Sequence, residues 1–332
     1  MRAEQPRRVV VVGGGITGLA AAHALQERTL GGLPIDVTLL EASPRLGGKI
    51  LTEQVDGLTV EGGPDSVLTS KPAAVDLCTR LGLGDRFLTS NQDARIVYVL
   101  HRGRLHPLPE GLALVVPLRL LPVLRSRLFS PWEKLRMGLD LLRPPAPARE
   151  DESLGSLMRR RFGHAAVARL AGPLLGGIYA GDVDRLSVRA TFPYLADLER
   201  RHGSLIAGMR AQRSGGMAAG NSRPPMFLTL RGGVGVLVDR LAASLTATTI
   251  LTGRPVRAIA RTDHANPRDG YTVHLDGGVL RADALILATP APAAADLLSE
   301  VSPQAATLLR QIPYVSTAVV ALGYRRSDVV SP

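Results

Sequence analysis

The sequence has almost no cysteine. One thiol, Cys78, in 332 residues leaves no partner for an internal disulfide and no thiolate cluster for a metal. That usage suits a reducing compartment. Cys78 lies in Ala74-Val75-Asp76-Leu77-Cys78, which reads as helix, and the thiol reads as buried and inert. Aromatic residues make up 4% of the chain, too few to build stacking platforms for nucleic-acid bases. Lysine is also scarce: Lys49, Lys71 and Lys134 are the only three, so the net charge of +11 rests on arginine. The arginines are dispersed, with one short cluster at Arg159-Arg160-Arg161. They read as a solvated basic surface, and attraction of a substrate with several carboxylates is the alternative. No run approaches the roughly 20 apolar residues of a spanning helix. The longest attempt, Leu112 to Leu124, is interrupted by Pro117, Arg119 and Pro122. The first residues lack the apolar core and cleavage pattern of a secretory signal. The chain therefore reads as cytoplasmic, with a place at the membrane surface left open.

A hydrophobic content of 45% is present, enough for more than one core. Val9-Val10-Val11-Val12 is a short β-branched run of the kind buried on both faces of a parallel sheet. Gly18 to Gln26 reads as helix and Asp36 to Leu40 as a second strand. Residues 95–211 differ in texture, with apolar stretches broken by proline and helical segments such as Ser153 to Phe162. Pro144-Pro145-Ala146-Pro147 reads as an exposed connector. The α/β texture resumes at Gly232-Gly233-Val234-Gly235, which opens a helix running to Leu245. Strands follow around Ile250 and Val256, at Tyr271 to Leu275, and at Ala284 to Ala288.

Between the first strand and helix stands Gly13-Gly14-Gly15-Ile16-Thr17-Gly18, a GxGxxG pattern. Gly13 permits the tight turn, Gly15 lets the backbone approach a pyrophosphate, and Gly18 allows close helix–strand packing. The helix N-terminus then offers free N–H groups and the positive end of its dipole. Glu41, ending the second strand, supplies a carboxylate for ribose hydroxyls. NAD and FAD both satisfy these features. No Ser/His/Asp set is visible, and His23, His101 and His106 show no metal-ligand spacing. No metal is expected, and no acid–base residue is identified.

The continuation Glu41-Ala42-Ser43-Pro44-Arg45-Leu46-Gly47-Gly48-Lys49 resembles the extended flavin signature of the flavin-containing amine oxidase superfamily. Two further motifs narrow the resemblance. Glu61-Gly62-Gly63-Pro64-Asp65-Ser66 and Gly176-Gly177-Ile178-Tyr179-Ala180-Gly181-Asp182 are similar to the protoporphyrinogen/coproporphyrinogen oxidase family, in its order and spacing. A generic amine oxidase or carotenoid desaturase would share the first motif but not the last. The resemblance implies FAD as cofactor, held by Gly13, Gly14, Gly15, Ile16, Thr17, Gly18, Glu41, Ala42, Arg45, Gly48 and Lys49. It places Gly63, Pro64, Asp65 and Ser66 near the isoalloxazine, and the backbone of Val256 at the adenine. Arg45 and Lys49 would neutralise phosphate charge. Lys71 would face a substrate carboxylate, and Ile178 would form an apolar wall over the porphyrinogen ring. Composition and periodicity say nothing of a tetrapyrrole; that substrate comes from the resemblance alone.

The implied fold is α/β: a discontinuous Rossmann-type FAD-binding domain, an α+β substrate domain and an inserted helical domain. Residues 1–66 and 232–290 would form the FAD domain, 67–94, 212–231 and 291–332 the substrate domain, and 95–211 the insertion. The implied reaction is dehydrogenation of coproporphyrinogen III to coproporphyrin III in heme biosynthesis. Flavin N5 would accept hydride, and molecular oxygen would reoxidise the flavin to give peroxide. Protoporphyrinogen IX is the alternative substrate. A non-catalytic module that binds a membrane surface or a heme-pathway enzyme is a reading from another class, prompted by the apolar, basic segment 111–128. The family normally continues for roughly 100–150 residues beyond this end, a domain's length. The strand-like Val315 to Gly323 and the end at Pro332 therefore predict a fragment with an unpaired sheet edge that keeps little FAD.

Overall fold

The computed structural model describes residues 5–91, 97–113, 115–144, 151–215, 225–262 and 270–329. The chain divides into two units, one formed by Met1–Ser90 with Pro224–Pro332, the other by Asn91–Arg223.

The first unit opens with β1 (Arg7–Val12), α1 (Ile16–Leu30) and β2 (Ile35–Leu40), the two strands parallel with Val12 opposite Leu40. The uniform valine run follows from burial on both faces of the sheet. Val11 packs with Leu19, Ala22 and Leu39 on one side, while Val10 and Val12 pack with Ile259 and Val273 on the other. A hairpin follows, β3 (Thr52–Val55) with β4 (Leu58–Glu61), turned by Asp56 and Gly57 at φ 50° and 77°. Positive φ at both turn residues matches the right-handed twist of the strands. Next come β5 (Val67–Leu68), α2 (Ala73–Arg80) and β6 (Phe87–Thr89). Cys78 is buried on α2, and burial pushes its thiol up, away from the reactive thiolate.

The second unit is mostly helical but opens on two hairpins that the sequence reading did not resolve. These are β7 (Tyr98–His101) with β8 (Arg104–Pro107), and β9 (Leu112–Ala113) with β10 (Val116–Pro117). Strands of two to four residues are too short to display a clear alternation, which hid them. The helices are α3 (Leu120–Arg125), α4 (Pro131–Gly138), α5 (Leu154–Phe162) and α6 (His164–Ala166). A π-helix (Val167–Gly176) follows, then α7 (Gly177–Tyr179), α8 (Val188–Thr191), α9 (Pro193–His202) and α10 (Leu205–Gly215). Ser130, Ser153 and Ser187 cap α4, α5 and α8 by accepting a backbone N–H, which explains where those helices start. Of the connector Pro144-Pro145-Ala146-Pro147, all but Pro144 lies outside the described residues.

The Arg159-Arg160-Arg161 cluster is not a solvated surface. Successive helical residues point about 100° apart, so the three arginines meet three environments. The Arg159 side chain is 41% exposed and pairs with Asp184 at 2.8 Å. Arg160 is half-buried between Glu152 and Glu199. Arg161 is only 1% exposed and contacts Glu199 and, at 3.4 Å, Asp140. Asp140 also accepts from the Ser204 hydroxyl at 2.7 Å and the Ile206 N–H at 3.0 Å. Burial pushes the Glu199 carboxyl up, but hydrogen bonds from Arg160 and Arg161 outweigh it and hold the group below the usual range.

The chain re-enters the first unit with β11 (Phe227–Leu230), which lies between β5 and β6, antiparallel to both. Then come α11 (Gly235–Ser244), β12 (Thr248–Leu251), and the antiparallel sheet of β13 (Val256–Arg261), β14 (Tyr271–Leu275) and β15 (Gly278–Ala282). β16 (Ala284–Leu287) returns beside β1, giving a parallel sheet in the order β12-β2-β1-β16. α12 (Ala291–Leu297) and α13 (Pro303–Arg310) follow. Val315 to Gly323, expected as a strand, has no regular structure and is exposed. β propensity alone does not hold a strand: no described strand pairs with it to supply a hydrogen-bonded ladder.

Candidate functional site

A cavity of about 910 Å³ opens at the carboxyl ends of β1, β2 and β16, walled there by Val12, Leu40 and Ala288. Open α/β sheets place ligands at this position. The glycine turn between β1 and α1 forms its floor, and the glycines divide by what each accommodates. A Cβ on Gly13 would lie 2.7 Å from the Ala288 carbonyl oxygen, and one on Gly18 only 1.8 Å from that of Gly13. A Cβ on Gly14 would strike Leu46 and Glu41, at 2.7 and 2.8 Å. Those three are glycines because the protein itself packs against them. Gly15 is different. The nearest atom to its Cβ would be Gly48 Cα at an ordinary 3.8 Å, and Gly15 faces the cleft. α1 begins there with no side-chain cap, leaving the N–H groups of its first turn to whatever enters.

Glu41 ties this turn to β2. Its carboxylate accepts from Gly14 N–H at 2.6 Å and from Ser43 N–H at 2.8 Å, and the side chain lines the cleft. Each oxygen keeps a further lone pair for a hydroxyl donor. The Glu41 backbone bonds Leu251 and Arg254, both at 2.9 Å, which brings the β12–β13 connection and Val256 to the same cavity. The second glycine pair docks on the first: Gly47 N–H donates to the Gly14 carbonyl at 2.8 Å, and a Cβ on Gly48 would sit 3.0 Å from Gly15 Cα.

The two basic residues of that loop separate. Lys49 lines the cleft. The Arg45 guanidinium instead donates to the carbonyls of Gly48 (2.6 Å), Ile50 (3.1 Å) and Leu46 (3.2 Å), so it staples the loop and does not line the cavity. Ile16, Thr17, Ala42, Pro64 and Ser66 also reach the cleft. Gly63 supports it from behind, where a Cβ would meet the Lys49 carbonyl oxygen at 2.0 Å. Asp65 accepts the Ser66 hydroxyl at 2.7 Å and lines a separate cavity of about 540 Å³. Lys71, exposed just before α2, does not line the cleft. Ile178 belongs to the second unit, where it is 68% exposed on α7.

Sequence reasoning overlooked Arg254, Thr289 and Asp296, which also line the cleft. The signal for Thr289 was Ala288-Thr289-Pro290, directly after a strand that pairs with β1. Its hydroxyl oxygen is buried and makes no hydrogen bond in the structure. Among the described residues no group of His, Cys, Asp and Glu is arranged to hold a metal.

A parallel β-α-β unit with this glycine turn and a carboxylate at the end of β2 defines a dinucleotide-binding protein of the Rossmann type. The model of the flavin containing amine oxidoreductase family matches residues 16–329. The chain is 39% identical over 327 residues to coproporphyrinogen III oxidase of Bacillus subtilis, covering 97% of this chain and 68% of that one. It is 38% identical to coproporphyrinogen III oxidase of Propionibacterium freudenreichii, covering 95% of this chain and 63% of that one. A solved structure from Exiguobacterium, provisionally assigned as a protoporphyrinogen oxidase, superimposes with a TM-score of 0.79 at 36% identity, over 93% of this chain and 64% of that one. The chain belongs to the flavin containing amine oxidoreductase family, and its cofactor is FAD. It spans about two thirds of the length of these relatives.

The cavity fits that cofactor: Gly15 leaves room at the turn, Glu41 has acceptors to spare, and Thr289 holds an unused buried hydroxyl. Gly15 and Gly18 should therefore respond differently to substitution. Gly18→Ala drives a methyl into the Gly13 carbonyl and should lower the melting temperature, with a cost of about 1–3 kcal/mol. Gly15→Val makes no closer contact at its Cβ than Gly48 Cα at 3.8 Å and has an extended ψ of 176°, so the fold should survive while FAD affinity falls at least about tenfold. Thermal melts and FAD titrations of both variants check this; parental FAD affinity in Gly15→Val would contradict it.

Proposed function

We propose that this protein oxidises coproporphyrinogen III to coproporphyrin III in heme biosynthesis, with each two-electron step reducing one molecular oxygen to one hydrogen peroxide. The observation that carries this is the 39% identity to a coproporphyrinogen III oxidase over 97% of the chain. Bound FAD supplies the acceptor for hydride leaving the carbon bridges of the porphyrinogen. The protein's share is placement. The first-turn N–H groups of α1 bind the pyrophosphate with Lys49 beside it, Arg45 fixes the loop that carries Lys49, and Glu41 holds the ribose. Val256 meets the adenine through its backbone, and the Gly63–Ser66 segment borders the isoalloxazine. Lys71 binds a substrate propionate and Ile178 presents an apolar wall to the ring. The exposed ammonium of Lys71 and the 68% exposure of Ile178 suit side chains that wait for a ligand. The net charge of +11 favours an acidic substrate, and the more acidic coproporphyrinogen before protoporphyrinogen IX. The reaction takes place in the cytoplasm.

Offering both porphyrinogens to the FAD-loaded protein, with porphyrin fluorescence and peroxide as readouts, tests this reading. Coproporphyrinogen III should be consumed faster. Lys71→Ala should raise KM for it, by a factor that shrinks as salt screens the pair. Absence of porphyrin from either substrate would overturn the reading.

A second reading concerns the second unit, and it is compatible with the first. Among the described residues no helix is long and apolar enough to cross a membrane. Yet α3 and α4, with the turn after them, expose Leu121 (67%), Trp132 (79%) and Leu142 (80%), with Leu124 and Leu135 beside them. Of these, Leu124, Leu135 and Leu142 line an apolar cavity of about 550 Å³ backed by Val123 and Met137. Arg119, Arg125 and Arg127 are exposed on the same stretch, while its two acids are committed: Glu133 to Arg169, Asp140 to Arg161. An apolar patch flanked by cations suits the surface of an anionic bilayer. Vesicles with phosphatidylglycerol should co-sediment the protein and shift Trp132 emission to the blue, neutral vesicles much less. Trp132→Ser with Leu142→Ser should abolish the co-sedimentation. Equal recovery of parent and double variant with anionic vesicles would remove the patch from consideration.

A further inference from the structure

The carboxylate of Glu61 has no part in the roles above, although it stands where three segments around the cleft meet. It ends β4, immediately before Gly62-Gly63-Pro64-Asp65-Ser66. One carboxylate oxygen accepts from Val234 N–H at 2.6 Å, and the other accepts from the Thr52 hydroxyl at 2.5 Å. Thr52 Oγ1 in turn accepts from Gly235 N–H at 2.8 Å. The pair thus satisfies two orphan N–H groups where α11 begins and sets a negative charge at the positive end of its dipole. Thr52 and Glu61 are direct cross-strand partners in the β3–β4 hairpin, which fixes their separation.

The fit is close enough to dictate the glycines opposite. Gly233 has φ +94°, and a Cβ there would lie 2.2 Å from Thr52 Cγ2 and 2.8 Å from Glu61 Oε1. What these bonds hold are two walls of the FAD cleft. Val234, just before α11, and Leu237 in its first turn line one wall, and Pro64 and Ser66 line the other from the segment that Glu61 begins. That segment is anchored behind by Gly62 N–H on the Leu51 carbonyl at 2.7 Å.

We propose that Glu61, acting with Thr52, is a positioning residue for the cofactor. Its carboxylate fixes the start of α11 against the Gly62–Ser66 segment, and so sets the width of the cleft where both face FAD. The side chain touches the cleft's frame and not the cofactor. Chemistry explains why a carboxylate stands here: it accepts at both oxygens, and no described cation competes for it.

The inference rests on FAD occupying this cleft, and the experiment separates the two. Parent, Glu61→Ala, Glu61→Gln, Thr52→Val and the exposed hairpin control Glu53→Ala are stripped and titrated with FAD, with visible circular dichroism of the bound flavin recorded beside thermal melts. Glu61→Ala should bind FAD at least about tenfold more weakly and change the flavin dichroism. Glu61→Gln keeps an acceptor for Val234 and a donor toward Thr52, and should recover affinity to within about threefold. Thr52→Val keeps the β-branched shape and should shift the flavin dichroism in the same direction as Glu61→Ala, which covers the case of a Glu61→Ala protein that does not fold. Glu53→Ala should match the parent. Parental affinity and dichroism in both Glu61→Ala and Thr52→Val, or a loss of melting temperature with unchanged flavin dichroism, would overturn the proposal. A parent that binds no FAD would overturn the cofactor site itself.

Discussion

The hydrogen bond from Gly14 N–H to the Glu41 carboxylate joins the two strand ends on which the cofactor cleft is built. It holds the glycine turn after β1 against the end of β2, and the approach leaves no room for a side chain at Gly14. Once that contact is set, the rest is constrained in turn. Gly47 can dock its N–H on Gly14, Gly48 can lie against Gly15, and Arg45 can pin the loop between them through three carbonyls. The same carboxylate that organises the turn also lines the cleft, with acceptor capacity left for a hydroxyl donor.

The sheet beneath explains why such a turn is held rigidly. β1 is covered on one face by α1 and on the other by the β13–β15 sheet, so its end has little freedom to move. β16 pairs beside it and carries Ala288 up to Gly13, where a methyl group would already collide. Binding residues supplied by rigid strand ends lose little entropy when a ligand arrives. The second unit is fixed by different means: a core of Leu154, Met158, Leu170 and Leu195, and the buried Arg161 set between Asp140 and Glu199. Removing one partner of that set would strand a buried charge, which is why the set acts as a whole.

Much of this was legible in the sequence because it rests on local rules. A both-faces-buried strand reads as a valine run, and GxGxxG reads as a turn that cannot tolerate side chains. Glu41 declares itself by its place at the end of the next strand. The failures have physical causes too. Arg45 and Lys49 look alike as cations, yet only the folded loop decides that Arg45 spends its donors on carbonyls while Lys49 faces the cleft. Arg161 reads as surface because its carboxylate partners are 21 and 38 residues away in sequence. Thr289 lies more than 270 residues from the turn it borders, a pairing that only the parallel β1–β16 register creates. Val315 to Gly323 has the composition of a strand, but strand formation depends on a partner, which composition does not report.

The central claim is that this cleft recognises the ADP half of FAD, through the α1 N-terminus and Glu41. Titrating the stripped chain with FAD and with FMN, which carries the same isoalloxazine but lacks the adenosine and its phosphate, tests it directly. The account predicts saturable FAD binding at least about a hundredfold tighter than FMN, since the lost contacts include several charge-assisted hydrogen bonds. Equal affinity for the two flavins would contradict it.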